Sequence, residues 1–570
     1  MGKFFEKKNF NVSFARKAAC FFCGIFLTGI FFTGCEKSRW FNFEFDKEPV
    51  TFTLYNVDTT QDMLFNDPVA KEITRRTGVT LEVKHPRSTT NQDITLMITS
   101  GDYCDLIYVK SDITKLIDVS AVVALDDWVD EKGKHHNLIE EYCPNMKKLY
   151  GDELVKLRSS DGHIYTFGVY GVREEVLETS GTLQIQHAVL RELGYPKLST
   201  LEEFADAIRA YKNKHPLIDG QPSIGLSLLT EGWSWLIDLS NPANYVIGHA
   251  DDGQWIIDND SHQATYKFLD PEISVYYKWL NQLYHDGTLD AESFVQGEEV
   301  WKSKIASGRV LALAYPTWGY SEERQYLIAS GKSERTYAYL PITAGPQYKD
   351  PALTDYGYSG GWGISIAKSC HDVIRAVQFM DWMCSDEAQI LVNWGIENVN
   401  YIYENGKRTL SASQQRKKES NANYVAESGV TKWAYPFPDC GSAAKDKNGD
   451  YLTRDSRQSI IDSYLPVEKE TLAAYGATMW IDLFPQKEEL PKPAHGQLWR
   501  YQIPNSVTNK VNTANDFVRD ALIKCIISDA SEFDSLWQEM VDGLKAMGME
   551  ETGKEISDII EEKLTLWGQN

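Results

Sequence analysis

Three stretches of the chain set large aromatic rings where a partner could reach them. Tyr356-Gly-Tyr358-Ser-Gly-Gly-Trp362-Gly363 places Tyr358 and Trp362 between glycines, which have no side chains to cover the neighbouring ring faces. Trp233 and Trp235 alternate in Glu231-Gly-Trp-Ser-Trp235, so a strand there would present both on one face. Pro316-Thr-Trp318 directly follows an apolar run at 310–314. Flat rings beside amides and carboxylates make a surface that stacks on the C–H face of a sugar and bonds its hydroxyls. That chemistry holds a ligand without breaking bonds.

Bond-breaking chemistry finds little support. Asp126-Asp127, Glu174-Glu175 and Glu202-Glu203 are sequence neighbours, and neighbours on a helix point apart; they read as solvated faces or caps. Gly331-Lys-Ser333 lacks the upstream glycine of a phosphate loop, and His135-His136 are adjacent, a poor metal geometry. Asp446-Lys-Asn448-Gly-Asp450 lacks the closing Glu of an EF-hand and reads as a hairpin turn. No catalytic residue, metal or cofactor is expected.

The front of the chain carries an address. Lys3, Lys7, Lys8, Arg16 and Lys17 precede an apolar run over 18–32, then Thr33-Gly34 and Cys35. Basic residues, a short apolar core and small residues form a secretory signal; the run is short beside the roughly 20 residues of a membrane span. Phe32-Thr33-Gly34-Cys35 resembles a lipobox, with Phe where Leu is usual, which makes Cys35 the expected lipid acceptor. The expected location is the outer face of the cell membrane. Cys20 and Cys23 lie within the apolar run, the six cysteines after Cys35 are scattered without metal spacing, and no disulfide pairing is assigned. The formal net charge of −23 argues against nucleic acid. At 570 residues the chain needs more than one core.

After a tether over 35–49, strand and helix signals alternate. A strand at 50–57, a helix opened by Asn66-Asp67-Pro68 and closed by Gly78, a strand at 79–83, a helix over 92–99 and a strand at 105–109 imply a mostly parallel sheet. Asp161-Gly162 marks a hairpin, 371–394 one long helix, 411–423 a polar loop, and 517–527 and 531–547 helices. Ligands of such sheets collect beyond the carboxyl ends of strands. That rule selects Asn56 and Asp58 after the first strand, Asp112 after the third, and Trp318.

Several segments, in order, carry a family resemblance. They are Asp67-Pro-Val-Ala-Lys-Glu-Ile-Thr-Arg-Arg-Thr-Gly-Val-Thr-Leu-Glu-Val83, Ser100-Gly-Asp-Tyr-Cys-Asp-Leu-Ile107, Leu125-Asp-Asp-Trp128, Asp161-Gly-His-Ile-Tyr165, Leu193-Gly-Tyr-Pro196, Ser199-Thr-Leu-Glu-Glu-Phe204, Ala306-Ser-Gly-Arg309 and Gly363-Ile-Ser-Ile366. Together they resemble the family 1 extracellular solute-binding proteins, in particular the long lipoprotein branch found with sugar importers. The resemblance implies a two-lobed α/β fold of the periplasmic-binding-protein kind, type 2 topology, with a hinge and a central ligand cleft. It places lobe one at 50–168 and 306–355 and lobe two at 169–305 and 356–570. It implies a carbohydrate ligand and ABC permease subunits as partners of a monomer held to the membrane by its lipid, and it matches Trp318 to a Pro-x-Trp element that supplies a sugar-stacking ring. Gln186-His-Ala-Val-Leu-Arg191 departs from the family's usual aromatic entry at that helix, so contacts there do not transfer. Two cleft carboxylates at glycosidase separation would instead mark an exported polysaccharide-degrading enzyme. A cleft without exposed rings would mark a binder of another ligand, such as a peptide.

Overall fold

The computed structural model describes residues 47–59, 63–87, 92–179, 183–421 and 423–568. Cys35, the signal before it and most of the tether lie outside them. No helix among the described residues is long and apolar enough to cross a membrane.

Two sheets organise the chain. Strand β1 (Val50–Asn56) pairs in parallel with β2 (Val79–Lys84) and β3 (Leu106–Tyr108). The helix between β1 and β2, Pro68–Thr77, begins where the Asp67 carboxylate accepts from the Ala70 N–H and ends at Gly78, whose φ of 74° turns the chain. A side chain at Gly78 would meet the Lys47 carbonyl at 2.5 Å, so glycine is required twice over. Later come β4 (Phe167–Gly168), β5 (Leu183–Gln186), β6 (Ile224–Leu226), β7 (Val310–Leu313), β8 (Tyr337–Leu340) and β9 (Gly363–Ile366). The first sheet runs β2-β1-β3-β9-β4 and the second β6-β7-β5-β8.

This order corrects the expected division. β7 and β8, expected in lobe one, pair with β5 at Ala312↔Ile185 and Ala338↔Ile185. β9, expected in lobe two, pairs with β3 at Ser365↔Ile107 and with β4 at Ile364↔Phe167. All three strands are buried along their whole length, so their apolar runs reveal burial without revealing a partner. The cores follow the sheets. One gathers buried residues from 52–169, 358 and 364–452; the other takes 177–342, 353 and 460–567. The chain therefore passes between the lobes at 170–176, 354–357 and 453–459.

Local chemistry explains smaller differences. The expected helix over 371–394 is two helices, Val373–Met383 and Asp386–Trp394, because the Ser385 side chain accepts from the Ala388 N–H and starts a new one. The first docks on lobe one through Asp381, which accepts from the Met146 N–H at 2.8 Å. The expected loop at 411–423 contains a helix, Ala412–Ser420, capped by Ser411. Three helices, Asn505–Ile527, Phe533–Ala546 and Met549–Leu566, complete the second core.

Candidate ligand-binding site

The C-terminal ends of β1, β3 and β4 and the start of β9 share one edge of the first sheet, following from the strand directions. The ends of β6, β7 and β8 and the start of β5 share one edge of the second. The crossing at 170–176 leaves the first edge after β4 and leads toward the second, and each edge carries aromatic residues.

On the first edge, the Lys110 ammonium pairs with Asp58 at 2.5 Å and stands 5.1 Å from the centre of the Trp362 ring. Tyr435 donates to Asp58 at 2.7 Å and bonds the Tyr108 hydroxyl. Trp362 meets Trp499 at 5.3 Å and Tyr170 at 5.8 Å, and Arg500 lays its guanidinium 3.9 Å from the Tyr170 ring centre. The indole N–H groups of Trp362 and Trp499 and Nε of Arg500 are buried with no hydrogen-bond partner among the described residues. Desolvation pulls the Arg500 pKa down, beside the opposing pull of Tyr170 and Glu174. The cluster holds donors in search of acceptors.

On the second edge, Trp318 sits in a short 3₁₀ turn, Thr317–Tyr320, directly after β7. Its ring lies 6.0 Å from that of Trp233 at an interplanar angle of 16°. Both tryptophans are 59% exposed. Tyr315 supports Trp318 edge to face at 5.2 Å, and a side chain at Gly319 would strike the Tyr315 ring at 2.3 Å. Thr317 and Tyr339 share a hydroxyl hydrogen bond of 2.9 Å beneath the turn.

Carboxylates line the path between. Glu174 lies on the crossing and Glu178 just after it, with Asp439 and Asp455 nearby. Burial, then the charge of Asp439, push the Glu174 carboxyl up to about 7 against the pull of Arg500. Burial followed by like charge raises Glu178 and Asp439 as well, and burial raises Asp455. Glu174, Glu178 and Asp455 are nonetheless exposed. Water reaches them, but surrounding protein limits how much, as in the walls of a cleft.

The structure thus brings Trp233 to Trp318, and Asp58 to Trp362. Asn56 is buried and its side chain accepts from the Asp58 N–H at 3.0 Å, shaping the turn beneath. Asp112 makes no helix cap and pairs with Lys115 at 2.8 Å. Tyr358 is 5% exposed and faces Tyr150 in the first core. Trp235 is 4% exposed in the second core. The expected strand at 233–235 is a turn leading into a π-helical stretch, Leu236–Ser240, so the two tryptophans point apart. The Asp446–Asp450 turn is an antiparallel hairpin, and its carboxylates are neutralised by the buried Arg408 at 2.8 and 3.2 Å. Sequence reasoning passed over Tyr170, Tyr435, Trp499 and Arg500. It also read Glu174 as a solvated face or cap.

Comparison with known proteins fits this architecture. Over 386 residues, 67% of this chain and 73% of the relative, the chain is 21% identical to Lipoprotein LipO of Bacillus subtilis (strain 168). The S. pneumoniae ABC-transporter substrate-binding protein FusA in complex with kestose superposes with a TM-score of 0.62 at 16% identity, covering 92% of this chain and 99% of that one. The alginate-binding protein AlgQ2 superposes with a TM-score of 0.61 at 15% identity, covering 90% and 99%. An HMO-binding, ABC-transporter-associated solute-binding protein from Bifidobacterium longum infantis gives 0.59 at 13% identity over 91% and 99%. These likenesses establish the two-lobed fold. The model of the bacterial extracellular solute-binding proteins matches residues 69–394, more than half of the chain, and with the two-sheet topology it establishes that the chain belongs to this family of binding proteins rather than enzymes.

Proposed function

We propose that this chain is the extracytoplasmic, lipid-anchored binding protein of an ABC importer, that it takes an oligosaccharide between its lobes, and that it passes the ligand to a membrane permease. The observation that carries this reading is the Trp233–Trp318 pair. Two indoles held nearly parallel, more than half exposed and fixed from below by Tyr315, form an apolar platform that water covers at a cost and a sugar face covers well. The unpartnered donors around Arg500 and the carboxylates on the crossing supply the hydrogen bonds that ring hydroxyls need. Trp362 and Asp58 join the ligand contacts from the first lobe, with Asn56 shaping their turn. Alginate, kestose and HMO, named with the similar structures, point the same way.

Export and lipidation at Cys35 complete the reading, supported by the lipoprotein relative. The protein works as a monomer. The crossings form its hinge, and closure over the ligand is the two-state signal that the permease reads.

A thermal-shift screen of the full chain against monosaccharides, oligosaccharides and control peptides tests this. Ligand at a hundredfold over its Kd adds about 2.7 kcal/mol of stability. A saturable rise for one oligosaccharide class, lost in Trp318→Ala, supports the reading. A response to peptides alone refutes the carbohydrate and leaves the binding role.

A further inference from the structure

We propose that Asp105, Cys370 and His371 form a transition-metal site on the first lobe, suited to zinc, at the sheet edge opposite the aromatic cluster. Asp105 directly precedes β3, and Cys370-His371 follow β9, which runs antiparallel to β3. The three residues therefore meet at the far end of the strands that carry Lys110 and Trp362.

A carboxylate oxygen, the Cys370 sulfur and a His371 ring nitrogen all lie within 4.8 Å of one another. Asp105 Oδ1 and His371 Nδ1 are 3.0 Å apart. In a tetrahedral zinc site, bonds of about 2.0–2.3 Å set ligand atoms about 3.3–3.8 Å apart. The Asp–His pair is close to that spacing, and the sulfur lies within 4.8 Å of both. His371 Nδ1 now donates a hydrogen to the carboxylate; a metal ion takes the place of that hydrogen.

The surroundings hold the donors in position. The other carboxylate oxygen, Oδ2, accepts from the Thr53 N–H at 2.9 Å and the Thr53 hydroxyl at 2.8 Å, which fixes Oδ1 toward His371. Metal-bound carboxylates carry outer bonds of this kind. The His371 ring rests 5.1 Å from that of Phe52. Access is built in: a groove of about 600 Å³ has Cys370 and His371 in its wall, and the His371 side chain is 53% exposed while Cys370 is 8% exposed. One sulfur, one nitrogen and one oxygen donor select zinc or cobalt over calcium or magnesium, which prefer oxygen alone. Three protein ligands leave a fourth position for water or an outside donor. A bound ion would tie β1, through Thr53, to the start of β3 and to the segment leading into the Val373–Met383 helix.

The full chain, freed of metal by chelation, is titrated with Co²⁺ and followed by absorption. One equivalent should produce intense tetrahedral visible bands and a near-ultraviolet thiolate-to-cobalt band, both displaced by Zn²⁺. Cys370→Ser should abolish the thiolate band, and Cys104→Ser should leave it. Thr53→Val should weaken binding by roughly 10–100-fold. His371→Ala changes a half-exposed side chain and should abolish the tetrahedral bands, which keeps the test decisive if the serine variant does not fold. Absence of saturable binding, an octahedral spectrum with no thiolate band, or a thiolate band that survives Cys370→Ser overturns the proposal.

Discussion

On the second lobe Trp233 and Trp318 lie nearly parallel with more than half of each residue in solvent, whereas on the first lobe Trp362 and Trp499 meet edge to face and are partly covered by Tyr170 and Arg500. The first arrangement leaves apolar faces open; the second uses ring edges and a cation to lock the rings together. An open platform costs the folded protein little when it is removed, because its rings contribute little to the core. An interlocked cluster supports the fold as well as the ligand contacts proposed for it. The two lobes should therefore respond differently to the same substitution.

The largest effect is expected at Trp362. Trp362→Ala should lower unfolding stability by about 2–3 kcal/mol, below the roughly 3–5 kcal/mol of deeply buried aromatics, and weaken ligand binding as well; urea denaturation and calorimetry check both. Trp318→Ala should do the reverse. Its affinity loss should be about 2 kcal/mol, roughly thirtyfold, with a thermal midpoint of the ligand-free protein close to that of the parent. An equal loss of stability in both variants would erase the distinction. Arg500→Lys retains the charge but loses the planar contact with Tyr170, so about 0.5–1 kcal/mol should be lost in the ligand-free protein.

The smallest effect is a slope. Glu174 holds its proton up to about pH 7 in the folded chain, against an ordinary value of 4.5. Between those values the unfolded chain has released a proton that the folded chain retains, so stability falls as pH rises through this window. Glu174→Gln should flatten that decline in midpoints measured from pH 5 to pH 8. An unchanged slope would remove Glu174 from the account of the cleft.

Much of this was legible in the residues. Asp67-Pro68 and Gly78 delimit a helix that forms at Pro68–Thr77, and Pro316-Thr-Trp318 marks the exposed ring on the second edge. Both signals are local: a cap, a fixed φ, a strand followed by a turn. Partnership between strands is not local. Val310–Leu313 and Gly363–Ile366 are apolar throughout and give no clue to their sheets, which is why their lobes were exchanged. Trp499 and Arg500 reach the site from a 3₁₀ turn far along the chain, where no strand end pointed to them. Trp235 failed for another reason. Alternation at 233–235 has meaning only on a strand, and the chain there turns into a π-helical stretch.

The interleaving of the lobes has a consequence for how the chain acquires its structure. β4, at residues 167–168, has no sheet partner until residues 363–364 of β9 arrive, and the first core is not complete before about residue 452. Contacts so distant in sequence close slowly, because the loop must be ordered before the contact repays it. Neither lobe can finish folding from the first half of the chain alone. Under the export proposed above, that delay keeps the chain threadable while it crosses a membrane.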